Sequence, residues 1–499
     1  MLKRLTGMIE HWRGDRVDCQ NAEGRSPRQP RWPWLRGKYD AANTTLDNYK
    51  HWSRADGLSA TSANSSEVRK TLRNRSRYEV ANNSYARGIT LTLANDVVGT
   101  GPRLQMLTAD DAANRFVEAE FFAWCEAVGL AEKLRTMRLA RVADGESFAL
   151  LTDNEAIESR VKLDLRLIEA DQVASPTLLN DTRRYIDGIR FDADGNPISY
   201  DVLKDRPGGD FFLANESYDT VPADSVLHYY RSDRPGQIRG IPDITPALPL
   251  FAQLRRFTLA VLSAAETAAE FAGILYTDAP ANGEADSAEP FESIELEKRM
   301  LLTMPGGWKM SQMRSEQPST TYAEFKKEIL NEIARCLNMP FNVAAGNSSG
   351  YNYASGRLDH QTYFKSIRVE QSQLARVVLD RILNAWLREA ILIEGYLPSS
   401  LRTLDSTFEH QWFWDGQEHV DPAKEANAQK IRLASHTTTL AIEFARQGRD
   451  WETELKQRAK EIALMRELGL SLDPEDETTS DPDVTEDHAE DPESQQPTA

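Results

Sequence analysis

The sequence predicts an α+β fold that is mainly helical, and three patterns predict it. Apolar residues recur at helical spacing along most of the chain, as in Phe325, Ile329, Ile333 and Leu337, or Ile367, Leu374, Val378, Ile382 and Trp386. Residues 146–230 alternate instead with a period of two, which is strand patterning. Between two of the helical runs lies a polar, glycine-punctuated segment, Gly346-Asn-Ser-Ser-Gly-Tyr-Asn-Tyr-Ala-Ser-Gly-Arg357, expected to be a loop on the surface.

In chain order, residues 39–145 read as mainly helical. Ser65-Ser66 supply cap chemistry before Glu67 and Val68, and Phe116, Phe121, Phe122 and Trp124 lie in an apolar helix. Ser147–Leu151, Val161–Leu167, Tyr185–Phe191 and Ile198–Leu203 read as strands. The last two are joined through Asp192-Ala-Asp-Gly-Asn-Pro197, whose residue types make a hairpin turn. Residues 243–275 predict one long helix, and 276–318 a Gly/Pro-rich insertion with short apolar runs at Met300–Met304 and Trp308–Met313. The helix through Phe325 and Leu337 stops at Met339-Pro340, because proline disfavours helix in its predecessor. After the spine helix, Thr407–Trp414 is mixed. Helices then follow at Asp421–Leu433, opened by Asp421-Pro422, at Thr437–Gln447 and at Trp451–Leu468.

Composition narrows the class. At 499 residues the length suggests about three domains. Ten tryptophans and a 40% apolar fraction are ample for a core. Cys19, Cys125 and Cys336 are far apart and fit a reducing compartment. No secretory signal is expected, and the greasiest segment, Ile244–Leu275, is interrupted by Arg255, Arg256, Glu266 and Glu270, so it reads as buried in protein rather than lipid. The net charge of −18 is uneven: residues 471–499 contribute −11 and the other 470 residues −7. That tail cannot repay its ordering entropy and is expected to be disordered. Residues 1–38 carry nine Lys/Arg against four Asp/Glu and read as a flexible basic arm.

The chemistry of catalysis is hard to find. There is no phosphate-cradling Gly-x4-Gly-Lys run, and Gly99-Thr-Gly101 is too short for a dinucleotide fingerprint. His-Glu-x-x-His and Gly-x-Ser-x-Gly are both missing. Asp192, Asp194 and Asn196 start like a calcium loop but lack its glycine and its final glutamate, so a turn is expected. His410, Asp415, Glu418 and His419 cluster in sequence, yet Trp412 and Trp414 between them suggest a strand face rather than a metal site. Asp144-Gly-Glu146-Ser147 reads as a helix-to-strand turn. The expectation is a protein that is not an enzyme and needs no metal or cofactor.

Two readings of 346–357 stand side by side: an ordinary helix connection, or a nucleic-acid contact in which amides and hydroxyls touch phosphates and tyrosines stack. Order along the chain adds weight to the second. Met339-Pro-Phe, Gly346, Asn352-Tyr-Ala-Ser-Gly-Arg357 and the long helix after them resemble the central segment of lambda-like bacteriophage portal proteins. Tyr78-Glu-Val-Ala-Asn-Asn-Ser-Tyr85 and Leu93–Gly101 resemble that family's N-terminal block, and Arg239-Gly-Ile-Pro242 its approach to the stem. Val420-Asp-Pro-Ala-Lys-Glu-Ala426 and Gly448-Arg-Asp450 resemble its C-terminal block. The likeness runs from about residue 39 to 470.

The resemblance implies a portal fold, in which a ring, usually of twelve copies, surrounds an axial channel at one vertex of the phage head. Double-stranded DNA would pass non-specifically through that channel. Residues 39–242 and 359–420 would form the wing, 243–275 and 319–339 the stem helices, and 276–318 the clip. The tunnel-loop region would be 340–358 and the crown 421–470. Asn347, Ser348, Ser349, Tyr351, Asn352, Tyr353 and Arg357 would face DNA, with Lys326, Lys327 and Arg335 as further lumen candidates. Trp308, Lys309 and Met310 would help the clip dock the large terminase subunit and later the head-completion and connector proteins. Major capsid and scaffold proteins would be neighbours, no membrane is involved, and the protein would be assembled in a host cytoplasm and end in the virion. A capsid or scaffold protein without a channel, or a DNA-processing enzyme of the packaging machinery, are the alternatives.

Overall fold

The computed structural model describes residues 49–175, 182, 184–204, 217–270, 274–277, 308–311, 321–350, 352–402, 408–416 and 422–470. For 267–270, 274–277, 308–311, 321, 353–355 and 422 the description covers the backbone only. The basic arm, the acidic tail and most of the 276–318 insertion lie outside the described residues, as do Cys19, Tyr351, Asp421, Glu418 and His419. The chain divides into two units, Met1–Leu58 and Ser59–Ala499. Of the first, Tyr49–Leu58 is described; it forms turns over 49–54 and no regular element after them. The second unit holds the helices and strands.

Three helices open it: α1 (Ala60–Ala63), α2 (Ser66–Asn82) and α3 (Ser84–Val98). Ser65 stands at the N-cap of α2 as expected, although its side chain makes no cap bond. Asn83 separates α2 from α3, and its side chain accepts from the amides of Tyr85 and Ala86. A short strand β1 (Arg103–Met106) leads to α4 (Asp111–Val128), capped by Asp110, and Gly129 at φ +61° turns the chain into α5 (Leu130–Asp144). Strands β2 (Glu146–Asp153) and β3 (Leu163–Ile168) follow, then β4 (Tyr185–Ile186), β5 (Ile189–Phe191), β6 (Pro197–Leu203), β7 (Tyr218–Pro222) and β8 (Val226–Tyr230). They form two antiparallel sheets, β3-β2-β8 and β4-β5-β6-β7.

The single strand expected over Tyr185–Phe191 is in fact a tight hairpin. Asp187 and Gly188 both adopt positive φ (52° and 79°), so Ile186 pairs directly with Ile189. Asp-Gly is the residue pair that such a turn favours. The turn at Asp192–Asn196 forms as predicted, with the Asp192 carboxylate accepting from the amides of Asp194 and Asn196.

The helix expected over 243–275 is shorter at both ends. Helix α6 runs Leu248–Glu270, after a 3-10 turn at Thr245–Ala247. Pro246 and Pro249 explain the late start, because proline fits only the first turn of a helix. Ile274–Thr277 is strand β9, paired antiparallel with β10 (Trp308–Ser311). Helix α7 (Thr321–Arg335) then returns, and residues 336–338 form a turn in which Asn338 takes φ +53°.

Helix α8 (Phe341–Ala345) is closed by Gly346, and α9 (Tyr353–Leu374) begins well inside the segment expected to be loop. The loop is therefore 346–352, not 346–357. Asn352, a residue type favoured at N-caps, precedes the helix, and its carbonyl accepts from the Gly356 amide at 2.9 Å. Helix α9 passes through a π-helical turn, Ala375–Leu379, into α10 (Asp380–Leu392) without a break. Ile367, Leu374, Val378, Ile382 and Trp386 line the buried face as the periodicity predicted. Strand β11 (His410–Phe413) pairs antiparallel with β1, and α11 (Pro422–Ala434), α12 (Leu440–Arg446) and α13 (Trp451–Glu467) complete the fold.

The larger core packs α3, α4, α5, α9 and α10 around Trp124 and Trp386, both fully buried. Phe121 joins them, with ring centroids 5.3 Å and 5.5 Å away. A smaller core lies between the two sheets, with Phe148, Ile189, Tyr200 and Val226.

Candidate functional site

The glycine-punctuated loop is fixed at its base and open at its tip. The Asn347 amide donates to the Asn342 carbonyl at 3.0 Å, and the Asn342 side chain contacts His360 Nε2 at 3.0 Å across to α9. Asn347 in turn accepts from the Ser349 amide at 2.9 Å, a local turn of the kind Asn favours. Gly346 and Gly350 both have positive φ. Asn347, Ser348, Ser349 and Asn352 are exposed. Arg357 is exposed too, one turn into α9, while Tyr353 starts that helix and Tyr351 lies outside the described residues. The tip thus presents amides, hydroxyls and backbone.

The two lysines expected to face the channel lie over aromatic rings of their own chain. Lys326 Nζ lies 5.1 Å from the ring centroid of Tyr85 and 5.8 Å from that of Tyr322, and Lys327 Nζ lies 5.7 Å from that of Phe341. These are cation–π distances. Arg335 is exposed at the end of α7. Trp308, Lys309 and Met310 are brought together on β10, opposite Leu275–Thr277.

Two buried ion clusters, little announced by residue type alone, grip the approach to α6. In the first, Arg239 (2% exposed) donates from Nε to both oxygens of Glu146, at 2.9 and 3.0 Å. Its other nitrogens reach the Asp187 carboxylate at 2.7 Å and the carbonyls of Asp187, Val173 and Ala170. Arg73 pairs with Glu146 and, at 2.8 Å, with Asp171; Arg69 pairs with Asp187; Arg77 bridges Asp144 and Asp171. His228 Nε2 meets Glu146 at 3.0 Å, its ring stacked between Phe148 and Tyr230 with centroids 4.2 and 4.3 Å away. Four arginines thus face four carboxylates. Burial works against the Glu146 carboxylate, but Arg239 and Arg73 outweigh it and hold the group well below the ordinary carboxylate range. Burial pushes His228 down and the Glu146 contact only partly offsets this, so the imidazole is held neutral.

The second cluster centres on Asp243 and Glu370. Arg138 bonds Asp243 at 3.0 Å and also pairs with Glu370, and Arg141 lies 3.2 Å from Glu370. Tyr229 donates its hydroxyl to Glu370 at 2.8 Å, and burial followed by that carboxylate pushes the phenol up. Arg239 and Asp243 are only four residues apart, so one segment is held from two sides. Its backbone is also pressed on α5: a Cβ on Gly240 would lie 2.0 Å from the Gly145 carbonyl oxygen. Asp144-Gly-Glu146, read from sequence as a turn, is that turn and also supplies two of the cluster's four carboxylates. The missed signal was Arg69, Arg73 and Arg77 at four-residue spacing. They share one face of α2, and the buried residues of that helix are Arg69, Arg73, Ser76 and Glu79.

The remaining motifs resolve into contacts as well. Asp415 accepts from the amide and hydroxyl of Thr100, so Gly99-Thr-Gly101 cradles a carboxylate of its own chain. Gln105 donates to Asp450 at 3.0 Å, and a Cβ on Gly448 would sit 2.5 Å from the Trp414 carbonyl. Gly448-Arg-Asp450 is therefore where the C-terminal helices meet β1 and β11. Beside that junction lies a cavity of about 250 Å³, lined among others by Arg103, Glu118, Phe122 and Glu454. His410 and Asp415 are committed elsewhere, His410 to Asp380 and the Phe408 carbonyl. Among the described residues no three His, Cys, Asp or Glu side chains are grouped as a metal would require, and no helix is long and apolar enough to cross a membrane.

Comparison with known proteins gives these contacts a context. Residues 50–371 match the family described as phage portal protein, lambda family. The chain is 26% identical over 428 residues to a probable portal protein of Halomonas phage phiHAP-1, covering 80% of this chain and 82% of that one. It is 21% identical over 446 residues to the portal protein of Escherichia phage N15, covering 79% and 84%. Among solved structures it is similar to a chain in the neck of an empty gene transfer agent (GTA) particle (16% identity, TM-score 0.41, 75% of this chain and 92% of that one). It is also similar to one in the virion of a native GTA particle (14%, TM-score 0.38, 73% and 88%).

Proposed function

The chain belongs to the lambda family of phage portal proteins, and from that premise we propose that its copies, twelve in number, close into a ring whose axial channel carries DNA into and out of the head. Helices α6 and α7 are the stem and the β9–β10 region is the clip. The 346–352 loop is the part that DNA passes, and α11–α13 are the crown. Residues 39–242 and 359–420 make the wing. The terminase motor docks at the clip during packaging and the head-completion proteins dock there afterwards, with capsid and scaffold proteins around the wing.

One observation carries this reading. Two helices, α6 and α7, flank a small strand pair, and after the short helix α8 comes a polar loop with an exposed tip. The exposed apolar side chains on the same elements support it: Leu259 and Leu262 on α6, Phe325 on α7 and Leu464 and Leu468 in the last helix and its end are each at least half exposed in the single chain. Overall acidity suits a conduit. Duplex DNA carries a charge about every 1.7 Å, so a basic channel would hold it where a neutral or acidic one lets it slide. Negative-stain images of the purified protein test the proposal. Rings with an axial hole support it; shells, sheets or lone monomers sink it. The ATPase rate of the same rings tests the enzyme alternative, which a rate above that of the buffer would revive.

A further inference from the structure

The α2–α3 corner touches both proposed stem helices, each through one cation. Arg255 on α6 donates to Glu79 Oε2 at 2.7 Å, and its guanidinium lies 5.2 Å from the centroid of Tyr78. Lys326 on α7 places its ammonium 5.1 Å from the centroid of Tyr85. Tyr78, Glu79 and Tyr85 lie on either side of Asn83, whose side chain bonds the first amides of α3 and so fixes the angle of the corner. Glu79 is nearly buried, its side chain 7% exposed, and Arg255 is paired with it there, so removing Arg255 would leave a buried carboxylate without that partner.

We propose that the α2–α3 corner is a bracket that grips α6 and α7 together, and that Arg255 and Lys326 are positioning residues of the channel rather than contacts to DNA. The start of α6 is already anchored through Asp243. A helix held at one end can swing, whereas a second grip two turns further on fixes its tilt. Phe257 joins the pair between the helices, stacked on Tyr322 at 5.5 Å and edge-on to Phe325 at 4.8 Å. The tilt set on α6 is therefore passed to α7. The tyrosines at the two ends of Tyr78-Glu-Val-Ala-Asn-Asn-Ser-Tyr85 gain a physical role: each supplies a ring face to one stem helix. The channel role of the bracket rests on the stem reading of α6 and α7, but the grip itself does not.

Hydrogen exchange on the purified full-length protein reads the grip directly, with α4 and α5 as the folding control. Tyr85→Leu and Lys326→Met should each speed exchange in α7 by about two- to fivefold. Their combination should add little to either alone, and Tyr85→Phe, which keeps the ring face, should match the wild type. Arg255→Gln strands Glu79 and should speed exchange in α6 by about tenfold or more. Unchanged α7 exchange in Tyr85→Leu, or effects of the two substitutions that multiply fully, would overturn the bracket. Packaging assays separate it from a DNA contact. The bracket predicts that Lys326→Met and Tyr85→Leu both lower the yield of filled heads while Tyr85→Phe does not. Loss in Lys326→Met with normal yield in Tyr85→Leu would make Lys326 a DNA contact and reject the proposal. A wild-type protein that forms no rings would end the channel reading while leaving the exchange results to stand or fall by themselves.

Discussion

Arg239 satisfies every nitrogen of its guanidinium inside the protein, and Arg239 and Arg73 are the two arginines that balance the buried carboxylate of Glu146. Replacing one partner of such a buried pair leaves a charge stranded. Arg239→Met should therefore cost about 3–5 kcal/mol, read as a shift in the urea midpoint, and Arg239→Lys should recover only part of it because it cannot fork. A cost within 1 kcal/mol for Met would mean that the cluster relaxes freely. His228 adds a pH dependence. Its imidazole titrates near 6.5 when unfolded and lower in the fold. Between those values the unfolded chain binds more protons. The contribution of His228 to stability is thus complete above about pH 6.5 and is lost as pH drops towards its folded value. His228→Gln keeps a donor to Glu146 but removes the titration, so the gap in stability between wild type and variant should change over that window; parallel curves would show that His228 does not titrate there. None of this was legible residue by residue. An arginine on a helix reads as a solvated face, and only the four-residue spacing of Arg69, Arg73 and Arg77 departs from that reading.

At the scale of elements, the loop makes the sharpest prediction. Its base is held by Asn342 and His360, Ser348 and Ser349 are exposed at its tip, and Asn352 belongs to the start of α9, so deleting Ser348–Tyr351 should leave folding and ring formation intact while lowering DNA packaging or retention. Normal numbers of filled heads would remove the loop from the path of DNA. Sequence placed this element correctly and gave it the wrong length. Asn352-Tyr-Ala-Ser-Gly-Arg357 is polar and contains glycine, which argues for loop, but a helix with 22 residues and a buried face extends through it regardless. The reverse happened at Ile274–Thr277, whose first two residues the sequence reading places at the end of a helix and whose last two it places in the insertion, although its β-branched and aromatic content favours a strand. The spine helix was readable because it depends on a sustained period. The Asp187-Gly188 hairpin was equally readable and was missed beside the more conspicuous turn at Asp192–Asn196.

For the whole molecule, the exposed apolar residues on α6 decide most. Leu259 and Leu262 are 58% and 54% exposed, so Leu259→Glu and Leu262→Glu should leave the stability of the single chain within about 0.5 kcal/mol. Both should nevertheless abolish rings, measured by light scattering and thermal melts of the same samples. Rings at wild-type yield would place the subunit contacts elsewhere. Such a surface cannot be told from a core stripe in sequence, because both show the same period. The π-helical turn in the spine bears on the same scale. Leu374, Val378, Ile382 and Trp386 are spaced by four, and at 3.6 residues per turn each step overshoots a full rotation by about 40°. All four are nonetheless fully buried, because the wider turn at Ala375–Leu379 absorbs the excess. That turn works as a vernier in the helix. Removing one residue from it would leave every bond type available yet rotate everything on one side by about 100° against the other, so the angle between the polar loop before α9 and the tryptophan core on α10 is set by a single surplus amino acid.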